Sequence, residues 1–120
     1  MSDRNDDATD AAYTRLLVGK WQGDETSKPM DWHHITIFNA DGTWLGFGAG
    51  EKNGVFQPFF NSGTWSVKAS CVSLKVEESP MMPSLVGQEL SYVTLSVDAN
   101  AWVWKTSAGS VITSRRFGKS

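Results

Sequence analysis

The 120-residue chain has little cysteine, little proline and no long apolar run. One cysteine, Cys71, excludes an internal disulfide and suits a reducing compartment. No stretch approaches the roughly 20 apolar residues of a membrane span. No basic segment followed by an apolar one opens the chain, so no signal peptide is expected. The cytoplasm is then the default location, with export only if a leader has been trimmed. Strong charge of either sign is also missing: the formal net charge is −2. Four aspartates (Asp3, Asp6, Asp7, Asp10) against Arg4 leave −3 in residues 1–12, so the rest carries about +1. A nearly neutral body argues against nucleic-acid binding, which needs a basic face.

What the chain has in excess is tryptophan, six in a composition otherwise 40% hydrophobic and 20% charged. Trp is large and its N–H wants a partner, so six imply a broad aromatic surface. The length suits one domain, which buries about two-thirds of its unfolded-chain surface without a metal or disulfide staple. Residues 1–12 are polar, acidic and without periodicity, and read as a disordered tail. A short helix is expected over 10–18, with Asp10 as N-cap, Gly19 as the C′ residue and Tyr13, Leu16 and Leu17 on one face.

From Lys20 the pattern is β. Trp32 to Phe38 alternates aromatic and β-branched residues with polar ones. Asn39-Ala40-Asp41-Gly42 turns, and Thr43 to Gly50 returns as the partner strand. After a turn at 51–54, the segment 55–60 carries Phe56, Phe59 and Phe60 around Pro58. The proline demotes it to an edge, a bulge or an apolar loop. Strands follow over 63–68, 71–76, 88–97, 102–105 and 110–117, with residues 118–120 fraying. Ser79-Pro80-Met81-Met82-Pro83 is a loop. About eight or nine antiparallel strands joined by short turns, after one helix, point to an up-and-down barrel over 13–117.

Gly19-Lys20-Trp21, entered from a short helix, resembles the opening of small lipocalin-like proteins of the calycin superfamily. The apolar strand running into Phe38-Asn39-Ala40-Asp41-Gly42 and the later Gly63-Thr64-Trp65 fit the same pattern. The resemblance covers about residues 13–117 and lacks the disulfide of larger secreted members. It implies a barrel plugged by a helix at one end and open to an apolar cavity at the other. It also implies barrel closure by Gly19, Trp21 and an arginine of the last strand, Arg115 or Arg116, stacked on the indole as a cation–π pair.

Two functional readings follow. In the first, a small hydrophobic or aromatic ligand sits in an aromatic-lined cavity, the chain acting as carrier or sequestering protein. Trp32, His34, Phe38, Trp44, Trp65, Tyr92, Trp102 and Trp104 are the candidate lining. Trp44, Gly46 and Gly48 share a face, which leaves room beside a ring; the competing arrangement is a solidly filled interior. Tyr92, His34, Gln57 or Arg115 would orient the ligand. In the second reading, the chain docks a protein partner through Phe56, Phe59, Phe60, Met81 and Met82, which otherwise form a rim or lid. An enzyme is the third reading, because no nucleophile, base and orienter assemble and no catalytic residue is named. His33 and His34 point to opposite faces and cannot share a metal, so neither metal nor cofactor is expected. Cys71 reads as an inert thiol.

Overall fold

The computed structural model describes residues 2–27, 30–107 and 109–116, with side chains described for 9–23, 33–107 and 109–116. One helix, α1 (Ser2–Leu17), precedes eight strands: β1 (Gly19–Ser27), β2 (Met30–Phe38), β3 (Thr43–Lys52), β4 (Val55–Lys68), β5 (Cys71–Glu78), β6 (Glu89–Val97), β7 (Ala101–Lys105) and β8 (Val111–Arg116). They pair antiparallel in chain order, and β1 against β8 closes the barrel. The expected meander is therefore the observed one. Expectations about the tip of the first hairpin at Lys28 and Pro29, about Ala108, about Phe117 as the end of the last strand and about fraying over 118–120 fall outside the described residues.

The turns follow their chemistry. In the β2–β3 hairpin Gly42 adopts a positive φ of 91°, and the Asp41 carboxylate accepts the Thr43 backbone N–H and hydroxyl at 3.0 and 2.6 Å. Asn53 and Gly54 both take positive φ at the β3–β4 turn, the pairing that matches strand twist.

Three expectations are corrected or narrowed. First, α1 starts at Ser2 rather than near Asp10, so the acidic stretch read as a tail is helical along its backbone. Arg15, in its last turn, complements the helix dipole. Second, Asp10 does not cap its own helix. Its carboxylate accepts the backbone N–H groups of Ala69 and Ser70 at 2.9 and 3.0 Å. Those residues form the β4–β5 turn at φ 52° and 65°, a left-handed geometry unfavourable for side chains with a Cβ by about 1–2 kcal/mol each. The helix thus ties down a strained turn. Third, of the edge, bulge or loop left open for Val55 to Phe60, the structure shows the edge: the segment is strand. Pro58 is tolerated because this part of β4 pairs only with β3, at Ala49, whereas pairing with β5 begins at Ser62. A proline, which has no N–H to donate, suits such an edge.

α1 sits at the end where β1 begins and the β2–β3, β4–β5 and β6–β7 turns lie. Leu17, Trp21, Phe38, Trp65 and Trp102 fill that end, with Leu17 fully buried. Phe38 packs on Trp65 at 4.6 Å and edge-on to Trp102 at 5.6 Å between ring centroids. Trp21 meets Trp102 edge-on at 6.2 Å. Such pairs add about 0.5–1.5 kcal/mol beyond area burial.

Candidate functional site

The closed end sets the frame of the site. A helix leaves its last carbonyls without partners, and here side chains from the sheet supply them. The Trp21 indole N–H donates to the Leu17 carbonyl at 2.8 Å. The Arg116 guanidinium donates to the carbonyls of Leu16, Val18 and Ala99 at 2.7, 2.8 and 3.2 Å. Its central carbon lies 4.0 Å from the Trp21 ring centroid. Arg116 therefore stacks on the indole, and burial lowers its pKa. Arg115 points outward and is exposed, away from any cavity it was expected to serve. Gly19 stands at the C′ position expected of it, after Leu17 and Val18, and opens β1 at a positive φ of 133°. That φ favours glycine, and the Arg116 guanidinium lies where a Cβ would point.

Moving two residues along each strand from that end, the inward side chains of β1 to β4 shrink. Trp21 gives way to Gly23, Phe38 to Thr36, Trp44 to Gly46, and Trp65 to Gly63 and then Asn61. Across the barrel they stay large: Trp102 is followed by Trp104, and Thr94 by Tyr92. The mismatch leaves a cavity of about 150 Å³. Trp44, Trp102, Trp104, Tyr92 and Phe59 supply its aromatic wall, and Leu74 and Leu90 its aliphatic part. His34, Thr36, Gly46 and Asn61 complete it. Trp102 and Trp104 stack at 5.0 Å with 23° between planes, and Tyr92 packs on Trp104 at 4.7 Å. His34 lies 6.3 Å from Trp104 and against Gly23, where a Cβ would come within 2.7 Å of the imidazole. Of the lining, His34, Thr36, Phe59, Leu90 and Tyr92 are half-buried and the rest buried.

Of the expected lining, His34, Trp44, Tyr92, Trp102 and Trp104 come together around this cavity. Phe38 and Trp65 do not; they are buried at the closed end, 1% and 7% exposed, with the Trp65 indole N–H on the Asn39 carbonyl at 2.9 Å. The Trp32 side chain lies outside the described residues. The room expected beside Trp44 is partly taken by its own ring, which leans over Gly46 so that a Cβ there would lie 2.9 Å from it. Phe56 and Phe60 are exposed on the outer face of β4, while Phe59 faces inward. Met81 and Met82 border a groove of about 200 Å³ with Gln57, Pro58 and Phe59, so Gln57 belongs to the groove rather than to the cavity. His33 is exposed and His34 faces inward. Among the described residues no three His, Cys, Asp or Glu side chains converge as a metal site.

The indole N–H groups of the wall find their partners within the protein. Trp44 donates to the Lys75 carbonyl at 3.1 Å, Trp102 to the Thr94 hydroxyl at 3.1 Å, and Trp104 to the Ser114 hydroxyl at 3.0 Å. The indoles offer only their faces. Sequence reasoning missed Thr36, Leu74, Leu90 and Asn61. Alternation through β4 places Gln57, Phe59, Asn61, Gly63 and Trp65 on one face, but leaving the segment around Pro58 open between edge, bulge and loop hid that register.

Neither the protein-family models nor the curated proteins gave a match to this sequence. Among solved structures, the chain is similar to a crystal structure of a lipocalin-like protein from Bacteroides uniformis ATCC 8492, with 16% identity and a TM-score of 0.57 over 85% of this chain and 99% of that one. At that identity the likeness concerns the fold. Together with the closed eight-stranded antiparallel barrel, it shows that this chain has a lipocalin-like fold.

Proposed function

We propose that the chain binds a small hydrophobic or aromatic ligand in the barrel cavity, as a carrier or sequestering protein. The observation that carries this reading is the cavity of about 150 Å³ walled by Trp44, Tyr92, Trp102 and Trp104 at the end the helix leaves unplugged. A cavity near 150 Å³ holds one benzene-sized ring, and it falls below the roughly 300–1,000 Å³ of pockets for drug-sized ligands. A single ring with one or two substituents therefore fits, and a long acyl chain does not. About eight heavy atoms at an upper limit near 1.5 kcal/mol each leave room for micromolar binding, which needs about 8 kcal/mol. The stacked indoles report on their own occupancy. Titration of Trp fluorescence should saturate with single-ring compounds and stay flat with fatty acids; a flat response to every compound would defeat the reading.

A second reading has one observation in its favour. Val55, Phe56 and Met81 are 67%, 64% and 59% exposed next to the groove at Met82 and Phe59. Large apolar side chains exposed together are the material of protein interfaces. If this surface docks a protein, Phe56→Ala with Met81→Ala should abolish capture of the partner and leave ring binding intact.

A further inference from the structure

An antiparallel sheet with one face on a core normally shows polar side chains on the other. The outward face of β2, β3 and β4 does not. In the pairing registers Ile35, Phe47 and Phe60 stand side by side in one row. Ile37 and Leu45 hold the row toward the closed end, and His33, Ala49 and Pro58 the row on the other side. None of these positions carries a carboxylate, an ammonium or a guanidinium. Across the barrel, the outward positions of β5 and β8 carry Lys75, Glu77 and Arg115, all exposed. The apolar face also has relief. Along β4, Phe56, Pro58 and Phe60 form an exposed ridge. Over β2 lies a groove of about 450 Å³, lined by His33 and Ile35 with Gln22 on one side and Phe47 and Ala49 on the other.

We propose that this face docks a second copy of the chain, sheet against sheet. Ridge and groove lie on one face, on either side of β3, so each copy carries both halves of the fit, as a two-fold interface requires. A two-fold axis along β3, between the facing copies, lays β4 of each over β2 of the other. The registers hold Pro58 and Phe60 level with His33 and Ile35. The ridge of each copy then enters the groove of the other, and Phe47 meets its own counterpart. The strands of the two sheets stay within about 30° of each other, the usual aligned packing. Area supports the same occupant. Phe47, Phe56 and Phe60 are 37%, 64% and 36% exposed. At about 200 Å² per phenylalanine these three leave about 270 Å² in water, and the whole face leaves roughly 600 Å². Two copies bury roughly 1,200 Å², the low end of specific interfaces, which gives a reversible dimer rather than an obligate one. The uncharged rows offer no charge pattern by which a different partner would be selected.

Sedimentation equilibrium of the full chain, from micromolar concentrations up to about 1 mM, tests it. Wild type should show a reversible monomer–dimer equilibrium. Phe60→Glu and Ile35→Lys should each weaken it at least about tenfold, because each buries a charge without a partner. An equimolar mixture of the two variants should recover the dimer: one contact then pairs the two new charges, and the other keeps Ile35 against Phe60. Val111→Lys, on the exposed face of β8, should change nothing. Dilution of the wild type should also move the backbone amide resonances of β2 to β4 and leave those of β5 in place, a readout that needs no variant to fold. A wild type that stays monomeric throughout would overturn the proposal; binding of that monomer to phosphatidylcholine vesicles would assign the face to a lipid surface instead. A dimer that both folded charge variants leave intact, or whose dilution shifts fall on β5 to β8, would place the interface elsewhere and overturn it equally. Variants that lose the dimer singly and do not recover it when mixed would overturn the two-fold arrangement.

Discussion

The two ends of this barrel use the same residue type to opposite effect. At the closed end, Trp21, Trp65 and Trp102 meet Phe38 and Leu17 and fill the interior. Trp44 and Trp104 stand on the same alternating faces and border a cavity, which Trp102 touches from its other side. The difference lies in their neighbours. Closed-end rings face other large side chains from across the barrel. Cavity rings face Thr36, Gly46 and Asn61. Tryptophan count alone therefore does not distinguish a packed core from a pocket; the residue two positions further along each facing strand does. Polar groups divide in the same way. Closed-end donors complete the helix, whereas in the middle of the barrel Asn61 Oδ1 has no donor among the described residues.

If that division is real, truncation should be felt unequally. Trp21→Ala removes a ring that is 1% exposed, its bond to the helix and the surface on which Arg116 stacks. It should lower unfolding stability by about 3–5 kcal/mol. Leu90→Ala trims a half-buried side chain next to existing space, and should lower it by about 1 kcal/mol. Urea unfolding of both variants measures the contrast. Equal losses would mean that the two ends are equally packed.

Next in size is the arginine pair. Arg116→Lys keeps the charge but cannot reach three carbonyls while lying flat on an indole. It should lower stability by about 2 kcal/mol, from lost charge-assisted bonds and stacking. Arg115→Lys, on the exposed face, should stay within about 0.5 kcal/mol of wild type. Thermal melts of the two variants decide it, and a reversed order would place closure elsewhere than at Arg116.

Those two arginines also mark where sequence reading stops. Alternation says that one faces in and the other out. Only the closing register, Trp21 opposite Arg116, says which. The meander itself was legible, because turn residues such as Asn39 to Gly42 and Asn53-Gly54 carry their geometry locally. So was the inward face of β5, where Val72, Leu74 and Val76 are all buried. Segment 55–62 was not. Whether Pro58 breaks a strand depends on whether its N–H needs a partner, and that depends on where β5 ends, a non-local fact. Asn61 was lost with that segment. The use of the indole N–H groups was hidden for the same reason: Trp44 reaches Lys75, on β5, and Trp104 reaches Ser114, on β8.

The smallest expected effect concerns acid and the closed-end turns. Asp41 is held below the usual carboxylate range by the Thr43 hydroxyl and then by the Thr43 backbone N–H. Asp98 is held below it by the backbone N–H groups of Asn100 and then Ala101. A carboxylate whose folded-state pKa is depressed stabilises the fold above its unfolded value, about 3.9, and that contribution disappears as pH falls through the folded value. Both groups are fully exposed, so solvent screens the effect and it should be small. The melting temperature should therefore drift down between about pH 5 and pH 3. In the double variant Asp41→Asn, Asp98→Asn the drift should be shallower, because the amides still accept the turn N–H groups but do not titrate. At the other end the Asn53-Gly54 turn holds its geometry through positive φ alone, with no carboxylate in the turn pair. An equal drift in the wild type and the double variant would remove these turns as the acid-sensitive part of the closed end.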